Sequence, residues 1–345
     1  MRKHSLVTLV FLLLVVSLVL AACGAPTATP PPAQPAAATP TTAPAPAALK
    51  RISLASGPTS GVYYPLGGGI AKVISQYVPN TECTAEATAA SVDNCKLLKS
   101  GKADISLIMA DAAYEALNGT VRFVEDGKIP LRTIAVVYSN YMHIVASEAS
   151  GVKTVADLKG KRVSTGAAGS GTEGKCLRVL EAYGITPATL GSQERLDPGK
   201  SAEAMKDRKL DAFCWDGGLP TSSVMDLAAT PGMKIVLLDH EEAIKKMNDK
   251  YGPLYFKLVM PKGTYTGMDK DVAVAGVANL LLVTDKMDEQ LAYNITKALF
   301  EHQADLVAVH AEAKNLTLPT AVVGSSVPYH PGAIKYYTEK GVWKP

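Results

Sequence analysis

"GAAGSGTEGKC" (Gly166–Cys176) admits three readings, and each belongs to a different fold. Gly169, Gly174 and Lys175 fit the G-x-x-x-x-G-K frame of a phosphate-binding loop, while Gly169, Gly171 and Gly174 fit the G-x-G-x-x-G fingerprint of a dinucleotide fold. The third reading is a loop at a helix N-terminus that holds a smaller anion through backbone N–H groups. All three need a strand before the loop and a helix after it. Both are present: "KRVS" precedes it as strand, and Leu177, Leu180 and Tyr183 follow as an apolar stripe at helical spacing. Cys176 decides against the first reading, because it stands where a phosphate loop needs the Ser or Thr that holds magnesium.

The same order occurs earlier in the chain. "RISLASGPTSGVYYPLGGGIAKVISQYV" (Arg51–Val78) reads as strand, Gly-rich turn and helix, with Leu66, Ile70, Val73, Ile74 and Tyr77 on one helical face. Each copy continues with a strand, a helix, and an Asp (Asp104 or Asp211) that leads a third strand, "ISLIM" or "AFCW". Repeated β-loop-α units imply parallel sheets with their loops gathered at the carboxyl ends of the strands. Two such lobes facing each other make a cleft lined by helix N-termini. The apolar, β-rich runs Leu131–Ser147 and Val272–Asp285 are suited to crossing between lobes. The expected lobes are 50–138 plus about 275–345, and 139–274.

The first residues bear on compartment. Arg2, Lys3 and His4 precede an apolar run that ends at Leu20-Ala21-Ala22-Cys23, the pattern of a secretory signal (1–22), with an uncleaved membrane anchor as the other reading. The Cys after Leu-Ala-Ala resembles a bacterial lipobox, in which Cys23 is lipidated. Residues 23–49 are nearly all Ala, Pro and Thr, which makes an extended tether. Either reading places the rest outside the cytoplasm, anchored to the membrane, where ATP and NAD are scarce. That weighs against both nucleotide readings of the loop. The net charge of +3 falls to about +1 once Arg2 and Lys3 leave, and no basic stripe remains, so nucleic acid is not an expected partner. Four cysteines remain after Cys23: Cys83, Cys95, Cys176 and Cys214. In an oxidising compartment two disulfides are expected, or else four buried thiols. A bridge between lobes would lock a hinge, so Cys83–Cys95 and Cys176–Cys214 are the expected pairs.

Five motifs, in order, carry a resemblance: "SGPTSGVYYPLGGGIAKVI", "SVDNCKLLKSGKADISLIMAD", "VADLKGKRVSTGAAGSGTE", "MPKGTYTG" and "PYHPGAIKYYTEKG". Together they resemble the TAXI-type solute receptors of TRAP transporters and span almost all of the chain after the tether. The resemblance implies an α/β, two-lobed type II periplasmic-binding-protein fold with hinged lobes, mixed sheets and a cleft. It implies capture of a small carboxylate or amino acid, glutamate being the type ligand, and delivery to a large and a small integral membrane subunit. Ala90 and Met109 depart from the family, which usually has Gly and a polar residue at these positions, so a different ligand is possible on this reading.

The expected site has two jaws. Gly169, Ser170, Gly171 and Thr172 form one, with unpaired N–H groups and two hydroxyls to hold a carboxylate, unless Thr172 simply caps the helix. Ser60, Gly61 and Tyr63 form the other, unless they are a tight turn and a core Tyr. The resemblance adds Ser91, otherwise a helix cap. Asp111 either orients donors, meets a ligand ammonium, or caps its helix. Trp215, Gly217 and Gly218 follow the last strand of the second lobe, where Trp215 stacks on the ligand or packs between lobes. An acidic Asp216 facing the cleft would disfavour a purely dicarboxylic ligand. Lys175 is expected to face solvent. His302 and His310 lack a third ligand at useful spacing, so no metal and no cofactor are expected. No Ser/His/Asp arrangement supports an enzyme. A monomeric receptor is expected; a sensor feeding a membrane kinase or receptor is the alternative.

Overall fold

The structure is a computed structural model that describes residues 48–344; the expected signal, Cys23 and most of the tether lie outside the described residues. Among these residues no helix is long and apolar enough to cross a membrane. Ten strands form one sheet system: β1 (Lys50–Ala55), β2 (Thr81–Glu86), β3 (Ile105–Met109), β4 (Leu131–Ser147), β5 (Arg162–Ser164), β6 (Ser192–Glu194), β7 (Ala212–Gly217), β8 (Ile235–Leu237), β9 (Phe256–Met260) and β10 (Val272–Thr284). Their order is β2-β1-β3-β10-β4-β7-β5-β6, with β8 on β4 and β9 on β10. Helices α1 (Tyr63–Tyr77), α2 (Ser91–Ser100) and α3 (Ala110–Asn118) follow β1, β2 and β3, and α4 (Gly171–Ala182), α5 (Pro198–Lys206) and α6 (Ser222–Ala229) follow β5, β6 and β7. A further helix, α7 (Glu241–Tyr251), precedes β9.

The internal echo is thus real structure. β1 pairs in parallel with β2 and β3, and β5 pairs in parallel with β6 and β7, giving each lobe a small doubly wound sheet. Even the matching aspartates do one job, since Asp104 accepts the Ser53 N–H (2.9 Å) and Asp211 accepts the Arg162 N–H (2.8 Å). The long antiparallel β4 and β10 join the lobes. β4 pairs with β10 up to Tyr141 and with β7 and β8 beyond it. β10 pairs with β9 up to Gly276, then with β4, and from Asn279 with β3 as well. After β10 the chain returns to the first lobe: Leu291, Ile295, Leu299 and Tyr337 share an apolar core with Ile52, Leu54 and Val73.

Of the two expected disulfides, Cys176–Cys214 is formed and Cys83–Cys95 is not; both of the latter are free and buried. The reason lies in handedness. The chain moves one way from β1 to β2 and back the other way from β2 to β3, so right-handed crossovers put α1 and α2 on opposite sheet faces. Cys83 packs in the core beneath α1, whereas Cys95 packs in the other core with Ala112 and Met109. Cys176 and Cys214 share a face, and the same core.

Candidate functional site

The loops after β1, β2, β5, β6 and β7 converge on a cavity of about 20 Å³, walled by Val62, Tyr63, Ala90, Ser91 and Met109 from the first lobe and Ser170, Gly171, Thr172, Trp215 and Asp216 from the second. Roughly one water fills such a space.

Each wall has a local cause. Ser170, not Thr172, caps α4, its Oγ accepting the Glu173 N–H at 3.0 Å. The N–H groups of Gly171 and Thr172 belong to the first turn and have no intrahelical acceptor. Thr172 instead ties α4 to β7, accepting the Asp216 N–H at 3.3 Å. On the facing side, Ser91 opens α2 and accepts the Met109 N–H at 3.1 Å. The buried Asn94 holds that corner together, donating to the carbonyls of Ser56 (2.8 Å) and Leu107 (2.9 Å). The two jaws touch directly, with the Asp93 N–H donating to the Gly169 carbonyl at 3.2 Å.

The floor comes from the crossing strands. The Tyr63 hydroxyl donates to Asn279 Oδ1, Asn279 donates to Asn140 (2.7 Å), and Asn140 donates to the Asp216 carbonyl (3.2 Å). Tyr138 and Asn140 both line the cavity. The sequence reading missed Tyr138, Asn140 and Asn279. The signal was there: single Asn residues inside otherwise apolar strands need buried partners.

Other expected residues sit differently. Gly217 lines the cavity, whereas Ser60, Gly61, Gly169 and Gly218 do not. Ser60 Oγ accepts the Gly199 N–H across the lobes at 3.2 Å. Gly61 lies under the indole of Trp215, where an added Cβ would be 2.7 Å from the ring. Trp215 therefore lines the cavity and packs between lobes at once. Gly218 lies against Glu312, which accepts the Leu219 N–H at 2.6 Å.

Two charged residues correct the sequence reading. Lys175 is fully buried rather than solvent-facing, pairing with Asp216 at 3.1 Å and donating to the Ala275 carbonyl at 2.9 Å. Burial raises the Asp216 carboxyl to about 6 and lowers Lys175, and the attraction between the two opposes both shifts. Asp111 does not reach the cavity. It is held with Glu115 by Arg122 of the first lobe and Arg178 of α4, Arg178 lying 3.2 Å from Asp111, and Tyr255 donates to Asp111 at 3.0 Å. Burial would raise the Asp111 carboxyl, but Arg122, Arg178 and Lys175 outweigh it and hold it below the usual range. Among the described residues no group of His, Cys, Asp and Glu is placed to hold a metal.

Two α/β lobes joined by crossing strands, with helix N-termini walling the cavity between them, make a two-lobed fold of the type II periplasmic-binding-protein kind. The chain belongs to the NMT1-like family, which it matches over residues 54–341. Among solved structures it is similar to the alkanesulfonate-binding protein SsuA from Xanthomonas axonopodis pv. citri bound to MOPS, at 18% identity over 85% of this chain and 92% of that one, TM-score 0.47. A protein from Bordetella bronchiseptica RB50 aligns at 15% identity over 86% and 90%, TM-score 0.50. An ABC uptake transporter substrate-binding protein from Streptococcus pneumoniae with bound histidine aligns at 14% over 79% and 94%, TM-score 0.47.

Proposed function

We propose that this protein is the extracytoplasmic receptor of a TRAP-type transporter of the TAXI kind, anchored through lipidated Cys23, which closes around a small carboxylate or amino acid and presents it to the membrane subunits. The observation that carries the reading is the cavity wall. First-turn N–H groups of α2 and α4 face one another across it, joined by the Ser91, Ser170 and Thr172 hydroxyls, and no Lys or Arg lines it. Such a wall holds an anionic group through oriented neutral donors. The exchange of strand partners at Tyr141 and Gly276 supports a hinge there, close to the lobe boundaries expected at 138/139 and 274/275. The five sequence motifs support the TRAP assignment.

Thermal melting of the purified protein against organic acids, amino acids and other solutes tests the reading, with native mass spectrometry of protein purified without added ligand as the complement. A true ligand at about a hundred times its Kd stabilises by about 2.7 kcal/mol, roughly 4 °C in Tm for a chain of this size. A screen in which no solute moves the melting temperature, together with an empty mass spectrum, refutes the proposal.

A further inference from the structure

One group at the cavity floor has no use within the protein. Tyr138 stands on β4 two residues before Asn140 and on the same strand face. Its ring meets that of Tyr63 edge to face with centroids 6.3 Å apart. Tyr138 is 3% exposed, lines the cavity, and its hydroxyl has no hydrogen-bond partner in the protein. Its neighbours are engaged: Tyr63 with Asn279, Asn140 with Asn279 and Asp216, Thr172 with Asp216, and Ser91 with Met109. A buried hydroxyl without a partner is unfavourable, so it persists where something entering the cavity pairs with it.

The charges of the wall say what that something is. Asp216 and Asp197 line the cavity, and no cationic side chain does. Lys175 is fully buried and committed to Asp216 and the Ala275 carbonyl. A solute whose carboxylate sits at the N-termini of α2 and α4 would bring a second carboxylate against a wall that holds Asp216 and Asp197 and no cationic side chain to pair with it. An amide, hydroxyl or carbonyl in its place meets a hydroxyl able to donate or accept.

We infer that Tyr138 is the specificity-determining residue of the cavity, pairing with an uncharged polar group of a monoacid and so selecting monoacids over diacids. This rests on the receptor reading above and departs from the glutamate that the resemblance implies. A site built to pair with a substrate's polar group discriminates strongly against analogues that leave the site's own group unpaired.

Calorimetric titration of the purified protein and of Tyr138→Phe with matched probes tests it: L-glutamine against L-glutamate, L-asparagine against L-aspartate, and lactate against malonate. The expected result is that an uncharged-group member binds at least tenfold more tightly than its diacid partner. Tyr138→Phe then weakens that member about tenfold, leaves the diacid unchanged, and melts without ligand at or above the wild-type temperature. Equal or tighter diacid binding overturns the inference, as does a Phe variant that binds like wild type. If none of these probes binds while the broader solute screen finds a ligand, the inference fails and the receptor reading stands; if that screen is also empty, both fail.

Discussion

Ala90 sits at φ +81° and ψ −154°, a backbone region that glycine occupies and other residues avoid. It stays there because both sides of its peptide are held: the Ala90 N–H donates to Thr88 Oγ1 at 3.0 Å, and its carbonyl accepts the Asn94 N–H at 3.1 Å. The strain is of order 1–3 kcal/mol, reduced by the extra freedom a glycine would have in the unfolded chain. Ala90→Gly is therefore expected to stabilise the protein by about 1 kcal/mol, read as a higher midpoint in urea unfolding; an unchanged or lower midpoint contradicts this account. The resemblance had marked Ala90 as a departure, and the torsions explain why glycine belongs there. Lys175 was not legible in the same way. Its burial depends on Asp216, a partner 41 residues away, and on α4 being enclosed on most sides, with Thr172, Cys176, Arg178 and Val179 buried as well. Nothing local in "TEGKC" distinguishes such a lysine from a solvated one.

At the scale of elements, the glycine pattern of the β5–α4 segment turns out to be a contact surface. A Cβ on Gly169 would lie 3.0 Å from Asp93 Oδ1, one on Gly171 would lie 2.8 Å from Ser91 Oγ, and one on Gly174 would collide with the Arg122 guanidinium. All three partners belong to the first lobe. The G-x-G-x-x-G spacing thus recurs without a nucleotide, because close approach of a second surface makes the same demand on Cβ atoms as a pyrophosphate does. Gly171→Ala is the cleanest probe, since Gly171 has no positive φ and Ser91 is fixed by the Met109 N–H. We expect it to hold the lobes apart, raising the ligand-free radius of gyration in small-angle scattering, while stability falls by only about 1–3 kcal/mol. Gly68→Ala, where the new Cβ meets nothing within 4 Å, is the control and is expected to stabilise α1 by about 0.5–1 kcal/mol with no change in dimensions. Equal scattering from both variants would sink the contact-surface account. The crossing strand was readable to the residue, as Leu131–Ser147, because a long apolar β-rich run has few other uses. The Cys83–Cys95 pairing was misjudged because strand order, which puts α1 and α2 on opposite faces, leaves no trace in the local pattern.

For the whole molecule, the repeat alone disclosed two lobes and a cleft between them, while the polar groups that bind the lobes to the crossing strands emerged only from long-range pairing. Those groups set the response to acid. His143 is fully buried on β4, its ring nitrogens against the Tyr141 carbonyl (2.7 Å) and the Tyr265 hydroxyl (2.8 Å). His240 is buried beside β10, between the Leu238 carbonyl (2.9 Å) and the Ala275 N–H (3.1 Å). Burial lowers both to about 4 from an ordinary 6.5, with the positive charge of Lys175 acting in the same direction. A depressed histidine is neutral in the fold and charged in the unfolded chain below pH 6.5. Its contribution is therefore complete above pH 6.5 and lost as the pH falls through about 4, at most roughly 3 kcal/mol each. Asp216 opposes them. Its carboxyl is raised to about 6, so the fold gains by protonating it as the pH falls from about 6 toward 3.8, again by roughly 3 kcal/mol. The Asp111 cluster does not enter this window, because its carboxyl is lowered and gives way only at more acid pH. Among these three groups two losses against one gain leave a net fall of a few kcal/mol between pH 6.5 and 4. His310 and His330, which burial also lowers, add to that fall, and Glu312, which burial raises, opposes it, the sum being measurable by urea unfolding followed by circular dichroism. His240→Gln keeps an acceptor for the Ala275 N–H but cannot take up the proton, so it should remove about half of the histidine loss and leave a nearly flat profile. A wild-type stability that is flat or rises over this interval would show that these imidazoles are hydrated in solution and not sealed against the crossing strands.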